Sequence, residues 1–91
     1  MKVHETKILF EYYAAICRGE KRFEIRNNDR DYQIGDIVVM RCWNPEKNEY
    51  YEKEHLVLLI TYLLKDIDGI KKGYCAYGFK LIWKQFPFNP I

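Results

Sequence analysis

The sequence predicts a mainly β domain of the α+β class, in which about five strands curl into a small barrel and one helix follows the first strand. The main reason is that several short segments alternate between apolar and polar residues, as half-buried strands do. Gly, Asn, Asp and Pro residues separate these segments, as expected of turns. With 91 residues, of which 48% are hydrophobic, the chain can bury one modest core. We therefore expect residues 1–91 to form a single domain.

The first strand and the helix are predicted near the start of the chain. Val3–Leu9 alternates, and residues 11–18 follow an apolar stripe with helical spacing. That stripe consists of Phe10, Tyr13, Ile16 and Cys17. Gly19 comes next, at a position where helices often end in a left-handed residue. The pattern therefore predicts a helix that ends at this glycine and leads into a strand.

Four further strands are predicted, separated by turns. They lie at residues 21–26, 37–43, 55–64 and 74–83. Residues 46–54 hold four acids and two lysines, which predicts a polar loop. The proline-containing tail 84–91 is predicted to be extended. Closure of the strands into a barrel would also protect the edges of the sheet.

Aromatic residues divide into two groups. Those on apolar strand faces are predicted to lie in the core, and they are Phe23, Tyr77, Phe79 and Trp83. Those outside the apolar stripes are candidates for a binding surface, and they are Tyr12, Trp43, Tyr50 and Tyr51. Exposed aromatic rings near basic groups suit base stacking, while core or rim packing is the alternative for each of them.

The densest polar signal lies at residues 19–26, where the predicted helix turns into a strand. Lys21 offers a point charge to a phosphate, and the planar fork of Arg26 suits bidentate contact with an anion or a base edge. Glu24 can orient either cation or accept a hydrogen bond from an exocyclic amino group. A helix-to-strand corner at a barrel rim is a natural place for a cleft. The alternative is a solvated strand face with weak ion pairs.

Charge and hydropathy restrict the partners of the chain. A net charge of +2 disfavours broad, salt-driven binding to duplex DNA, but not recognition of one or a few nucleotides in a small cleft. The longest apolar run, residues 56–64, is too short to cross a bilayer. The N-terminal residues lack the apolar segment of a signal peptide. We therefore expect a cytoplasmic protein without a membrane partner.

Neither a metal nor a cofactor is expected. The cysteines are few and widely spaced, at Cys17, Cys42 and Cys75. This spacing fits neither a disulfide framework nor a C-x-x-C metal site, so reduced thiols are expected. A single histidine without a second ligand makes no metal site. His4 is instead a candidate cleft residue beside Lys7, with a structural or surface role as the alternative.

The charged corner resembles a known signature. GEKRFEIR at residues 19–26 resembles the G-x-K-x-x-E-x-R signature of the ASCH domain, a branch of the PUA-like superfamily. Residues 4–8, 23–36 and 73–79 are similar to the start, the core and the closing strand of a small bacterial and phage family of unknown function in that superfamily. The resemblance spans nearly the whole chain. It departs at Phe10, where the family usually has a proline, and at residues 50–54, which replace a Y-T-G-type segment.

The resemblance implies a PUA-like β-barrel with a charged cleft beside the helix. It also implies an association with RNA or modified nucleotides. The signature positions carry over to Gly19, Lys21, Glu24 and Arg26. His4 and Tyr12 complete the candidate ligand-binding set. We therefore expect a module that binds RNA or a modified nucleotide, with its oligomeric state left open.

Two other functions stay open. Some small ASCH proteins are similar to amidohydrolases that act on acetylated cytidine, and Lys21 matches their lysine. Glu24 stands where they carry a threonine, and a carboxylate is a poor replacement for a hydroxyl nucleophile, so binding is favoured over catalysis. In an enzyme acting on an acylated nucleoside, Lys21 would be the charge or proton partner and Glu24 the general base. The third function is a phage-encoded factor that contacts a host protein through tyrosines.

Overall fold

A single five-stranded sheet forms the body of the molecule, and one short helix packs against it. A computed structural model describes residues 1–85, so the predicted extended tail lies mostly outside the described residues. The elements are β1 (Val3–Leu9), α1 (Phe10–Cys17), β2 (Phe23–Asn27), β3 (Ile37–Asn44), β4 (Glu49–Leu64) and β5 (Tyr74–Gln85). The predicted fold class, mainly β with a helix after the first strand, is confirmed.

The strands are arranged in the order β1-β3-β4-β5-β2. β1 and β3 pair in parallel, whereas the other neighbours pair antiparallel. The sheet is curled, so that the Arg26 side chain of one edge strand, β2, reaches the main chain of the other edge strand, β1, at Lys7. Within residues 1–85 no ladder joins these edges, so the molecule is a half-barrel with a gap along one side.

The core lies on the inner face of this curled sheet. Alternate residues of the long strands point inwards, as strand geometry requires, and they include Val38, Met40, Cys42, Leu56, Leu58 and Ile60. From α1, which packs on β1 and β3, Tyr13 and Ile16 complete the layer. The helix is therefore held mainly by its buried face, since eight residues are too few for a stable isolated helix.

Gly19 ends the helix as predicted and sets the direction of the corner. Its φ of 78° lies in the left-handed region that favours glycine. The Gly19 amide donates to the carbonyl of Ile16 at 3.0 Å, and the Glu20 amide donates to that of Ala15 at 2.9 Å. These two bonds are a Schellman motif, which satisfies the free carbonyls at the helix end. The chain leaves this motif heading into β2.

The predicted loop at residues 46–54 is wrong from Glu49 onwards. β4 begins at Glu49, and its first residues pair with the end of β3, where Trp43 lies opposite Tyr50. Asn44 makes this hairpin tight, because its side-chain oxygen accepts hydrogen bonds from the amides of Glu46 and Lys47. The prediction failed because the many charged residues of this segment are typical of a loop. Here, pairing with β3 extends β4 into the segment.

Two aromatic residues predicted to be in the core are exposed. Phe23 is 56% exposed and Trp83 is 47% exposed, whereas Tyr77 is buried and Phe79 packs against the core as predicted. β2 begins at Phe23 rather than at residue 21, and its charged face points inwards. Trp83 is turned outwards by an irregularity in the pairing of β4 with β5, which adds one residue on β5 before this tryptophan.

This arrangement leaves an apolar patch on the outer face of the sheet. Phe23 on β2 lies opposite Gly78 on β5, and Gly78 pairs with Tyr62 on β4. Two residues further along β2, Ile25 lies opposite Ala76, which pairs with Leu64. We call the exposed side chains of Phe23, Ile25, Tyr62 and Leu64 the outer apolar patch.

The cysteines are free thiols, of which Cys42 and Cys75 are buried and Cys17 is half-buried. Burial, with the nearby charge of Glu54, raises the pKa of the Cys42 thiol to about 12. Among residues 1–85, no helix has the length and apolarity required to span a bilayer.

Candidate functional site

The gap between the two edge strands holds a cleft of about 260 Å³, which we call the edge cleft. Its walls come from β1, from the helix that follows it, and from β2. The lining residues are Lys7, Ile8, Leu9, Tyr12, Glu24, Ile25 and Arg26. Three of the candidate ligand-binding residues, Tyr12, Glu24 and Arg26, therefore meet in one solvent-accessible space.

Glu24 is the central charged group of this region. Its side chain is only 10% exposed, because β2 turns its charged face towards the inside of the curled sheet. Lys21 Nζ lies 2.8 Å from Glu24 Oε1, and Arg26 Nη2 lies 3.0 Å from Glu24 Oε2. A carboxylate buried to this extent needs such partners, since an unpaired buried charge is costly.

Arg26 joins the two edges of the sheet. Its Nε donates to Glu24 Oε2 at 3.1 Å, while its Nη2 donates to the main-chain carbonyl of Lys7 at 2.7 Å. The planar guanidinium can make both contacts at once, because its donors point in fixed directions. Within residues 1–85, Nη1 has no hydrogen-bond partner, so this group keeps a donor for a ligand.

Lys21 approaches Glu24 from the corner after the helix. Its Nζ donates to the carbonyl of Phe23 at 2.7 Å and lies 5.3 Å from the ring centre of Tyr12. Of the signature residues, Lys21 and Arg26 are thus both in direct contact with Glu24. Tyr12 is 45% exposed and stands at the rim of the edge cleft.

Gly19 lies outside the edge cleft. It lines a second cavity of about 200 Å³ on the other side of the corner, together with Ile16, Cys17, Lys21, Arg22, Phe79 and Leu81. Its contribution to the edge cleft is indirect, through the turn that brings Lys21 to Glu24.

His4 lies in the interior rather than in the edge cleft. Its Nε2 is 2.8 Å from Asp36 Oδ2, and both side chains are buried. Asp36 also accepts from the main-chain amides of Lys2 and Gln33. Burial raises the pKa of this carboxyl, but the bonds from His4 and the two amides outweigh burial and leave the pKa below its ordinary value. His4 and Asp36 therefore fix the N-terminus to the turn before β3.

A buried aromatic stack, which sequence patterns did not indicate, lies behind these charges. Tyr32 lies between His4 and Tyr77, with ring centres 4.7 Å and 5.2 Å away. Tyr77 is the register partner of Glu24, and burial with the nearby carboxylate raises the pKa of its phenol. Among described residues, the hydroxyls of Tyr77 and Thr6 are buried without hydrogen-bond partners. Alternation placed Tyr77 in the core, but it does not show what surrounds a hydroxyl.

The remaining surface candidates lie on β3 and β4. Trp43 and Tyr50 form an edge-on ring pair with centres 4.9 Å apart, and Tyr51 packs on Phe10 at 5.7 Å. Lys7, which lines the edge cleft, places its Nζ 3.7 Å from the ring centre of Trp43. Trp43 is thus connected to the edge cleft, whereas Tyr51 lies beside the start of the helix.

Comparison with known proteins gives a family but no activity. A stretch of 42 residues is 38% identical to the protein named "Uncharacterized 12.9 kDa protein in GpA 3'region" of Escherichia phage P2. This match covers 46% of the chain and only 38% of the phage protein. Residues 3–79 match the model of the family described as "Domain of unknown function (DUF3850)". Because that match includes all of β1 to β3 and most of the rest of the sheet, the chain belongs to the DUF3850 family.

Proposed function

We propose that the edge cleft binds a nucleotide of RNA or a modified nucleotide. The observation that carries this proposal is the contact of Lys21 and Arg26 with one buried carboxylate, Glu24, beside an open cleft. The resemblance of these three positions to the ASCH signature supports the same interpretation. As part of the same proposal, we assign the fold to the PUA-like superfamily.

The chemistry of the cleft suits a nucleobase. Its volume of about 260 Å³ lies just below the usual range of ligand pockets, roughly 300–1,000 Å³, so it fits one small ring system rather than a longer segment. Carboxylate oxygens can accept from the exocyclic amine of cytosine, and an arginine donor can reach an acceptor on a base edge. The exposed ring of Tyr12 can stack on a base, which contributes about 1–3 kcal/mol.

Burial distinguishes this row of charges from a solvated strand face. The side chains of Lys21, Glu24 and Arg26 are 17%, 10% and 25% exposed. Ion pairs removed from water in this way contribute little net stability, because desolvation offsets their attraction. This supports a role for these ion pairs in recognising a ligand at the adjoining cleft.

The test is a titration of mononucleotides and short single-stranded RNAs against wild type and Arg26→Gln. We expect the variant to lose about 5- to 150-fold in affinity, because it lacks the charged fork. Arg30→Gln is the matched control, because it removes the same charge at an exposed position outside the edge cleft. This substitution should change the affinity less than about twofold. Circular dichroism spectra of both variants serve to check that they fold. Equal affinities of the two variants, or no binding to wild type, would refute the proposal.

A hydrolase acting on an acylated nucleoside is the second candidate, and the 2.8 Å contact between Lys21 and Glu24 favours it. In that reaction Glu24 would take a proton from water, whose oxygen attacks the acyl carbonyl. The C–N bond would break, and the proton would pass to the leaving amine, giving a carboxylic acid and the free nucleoside. Mass spectrometry after incubation with N-acylated nucleosides tests this reaction. Product from wild type but not from Glu24→Gln supports hydrolysis, whereas no product from wild type refutes it.

A further inference from the structure

An aromatic and basic surface adjoins the edge cleft on the outer face of the sheet. We call the side chains of Lys7, Arg41, Trp43 and Tyr50 the aromatic platform. The rings of Trp43 and Tyr50 meet edge-on, with centres 4.9 Å apart. Lys7 Nζ lies 3.7 Å from the Trp43 ring centre, and the Arg41 guanidinium carbon lies 3.9 Å from that of Tyr50.

Strand pairing places these residues together. Lys7 is the register partner of Arg41 across the parallel β1–β3 pair, and Trp43 is the partner of Tyr50 across β3 and β4. Inward-pointing Met40 and Cys42 alternate with Arg41 and Trp43, which therefore share the outer face. The platform thus lies on paired strands, with an irregularity in the β3–β4 pairing between Arg41 and Trp43.

The platform is continuous with the edge cleft through one residue. Lys7 lines the cleft and at the same time touches Trp43. Its charge has no acidic partner among the described residues, whereas the nearby Arg41 is paired with Glu5 at 3.2 Å. The surface therefore combines aromatic rings with net positive charge at the mouth of the cleft, which suits a chain of bases and phosphates.

We infer that the ligand is a single-stranded oligonucleotide rather than a free nucleotide. One nucleotide enters the edge cleft, its phosphate lies at Lys7, and the neighbouring base stacks against Trp43 and Tyr50. This inference rests on the proposed function and extends it, because it states that binding continues beyond the cleft. A duplex is disfavoured, since its bases are already stacked on one another and a net charge of +2 is weak for salt-driven binding to its dense phosphates.

The experiment compares one mononucleotide with a single-stranded RNA of four nucleotides, on wild type and on Trp43→Leu. Wild type should bind the tetranucleotide at least about tenfold more tightly than the mononucleotide. Trp43→Leu should lose about 5- to 150-fold for the tetranucleotide, with no change for the mononucleotide. Lys7→Gln gives a second readout, because the phosphate is placed at Lys7: the slope of log affinity against log salt should become shallower by about 0.7 for the single strand.

Lys80→Gln is the control, because this lysine is exposed on β5 and lies in neither the cleft nor the platform. It should leave the binding of both ligands unchanged. If wild type binds the two ligands equally, or if Trp43→Leu weakens both by the same factor, the inference is refuted while the proposed function stands. Tighter binding of a duplex of the same sequence also refutes it. If wild type binds neither ligand, both the inference and the proposed function fail.

Discussion

Arg26 on one edge strand donates a hydrogen bond of 2.7 Å to the main-chain carbonyl of Lys7 on the other edge strand. The two residues lie at opposite ends of the strand order, so this bond spans the gap in the half-barrel. The same guanidinium holds Glu24, which is in turn held by Lys21. One side chain therefore connects the curvature of the sheet to the charges of the edge cleft.

Replacing Arg26 with lysine should destabilise the fold. Lysine keeps the charge but has no planar fork, so it cannot bond both Glu24 and the Lys7 carbonyl in this geometry. The loss of one charge-assisted hydrogen bond should lower the free energy of unfolding by about 1.5–3 kcal/mol. Urea denaturation measures this change. Arg30→Lys, at an exposed position, should stay within about 0.5 kcal/mol, and similar losses in both variants would contradict the bridging role of Arg26.

The exposure of Phe23 can be tested by truncation. Phe23→Ala should cost about 1 kcal/mol or less, because more than half of the side chain is already in water. Tyr77→Ala, which removes a buried ring from the opposite strand, should cost about 3–5 kcal/mol. Denaturation midpoints at equal m-values give both numbers. Equal costs for the two variants would show that Phe23 belongs to the core after all.

Asp36→Asn should destabilise the chain in a pH-dependent way. The carboxylate accepts three hydrogen bonds, and an amide has only one oxygen to replace its two, so the expected loss at pH 7 is about 1–3 kcal/mol. Because the folded-state pKa of Asp36 is below the ordinary value of 3.8, its stabilisation is complete above that pH. It disappears as the pH falls through the lowered pKa. The difference in melting temperature between wild type and Asp36→Asn should therefore narrow below about pH 3.8. Asp31→Asn, at an exposed position, is the control and should change the melting temperature little at pH 7 or below pH 3.8.

Glu54→Gln should stabilise the chain at pH 7, whereas Asp36→Asn should destabilise it. Burial raises the pKa of Glu54 above the ordinary 4.5, and its Oε2 is buried without a hydrogen-bond partner among residues 1–85. Ionisation of Glu54 at pH 7 therefore costs stability, and this cost is relieved as the pH falls through the raised pKa towards 4.5. The variant should melt at a higher temperature than wild type at pH 7 and at about the same temperature near pH 4. A matched change at the exposed Glu52 should have no such pH dependence.

Local patterns predicted the elements well. Val3–Leu9 has the predicted bounds, β3 begins at the predicted Ile37, and Gly19 ends the helix in the predicted left-handed conformation. These features depend on alternation, helical spacing and the conformational freedom of glycine, all of which act over a few residues.

The direction of each face could not be predicted in the same way. Alternation in β2 separates Phe23 from Glu24, but it does not say which of them faces the core. Here the charged face is buried, because Lys21 and Arg26 compensate Glu24, and these contacts form only when β2 lies at the edge of the curled sheet. Trp83 was misplaced because the irregular pairing with β4 leaves no mark on the alternation. Lys21, Glu24 and Arg26, which the sequence singles out, are in contact in the structure, whereas the separation of Gly19 and His4 from the edge cleft depends on the fold.

The curled sheet also turns its two free edges towards each other. An edge strand carries unpaired main-chain donors and acceptors, and in a flat sheet these are templates on which other chains can add strands and begin aggregation. In this molecule the edges of β1 and β2 face the same gap, and the guanidinium of Arg26 donates a hydrogen bond to a main-chain carbonyl of β1. The fold thereby shields its edges from intermolecular β-sheet growth without closing into a complete barrel, and the opening that this leaves is the edge cleft.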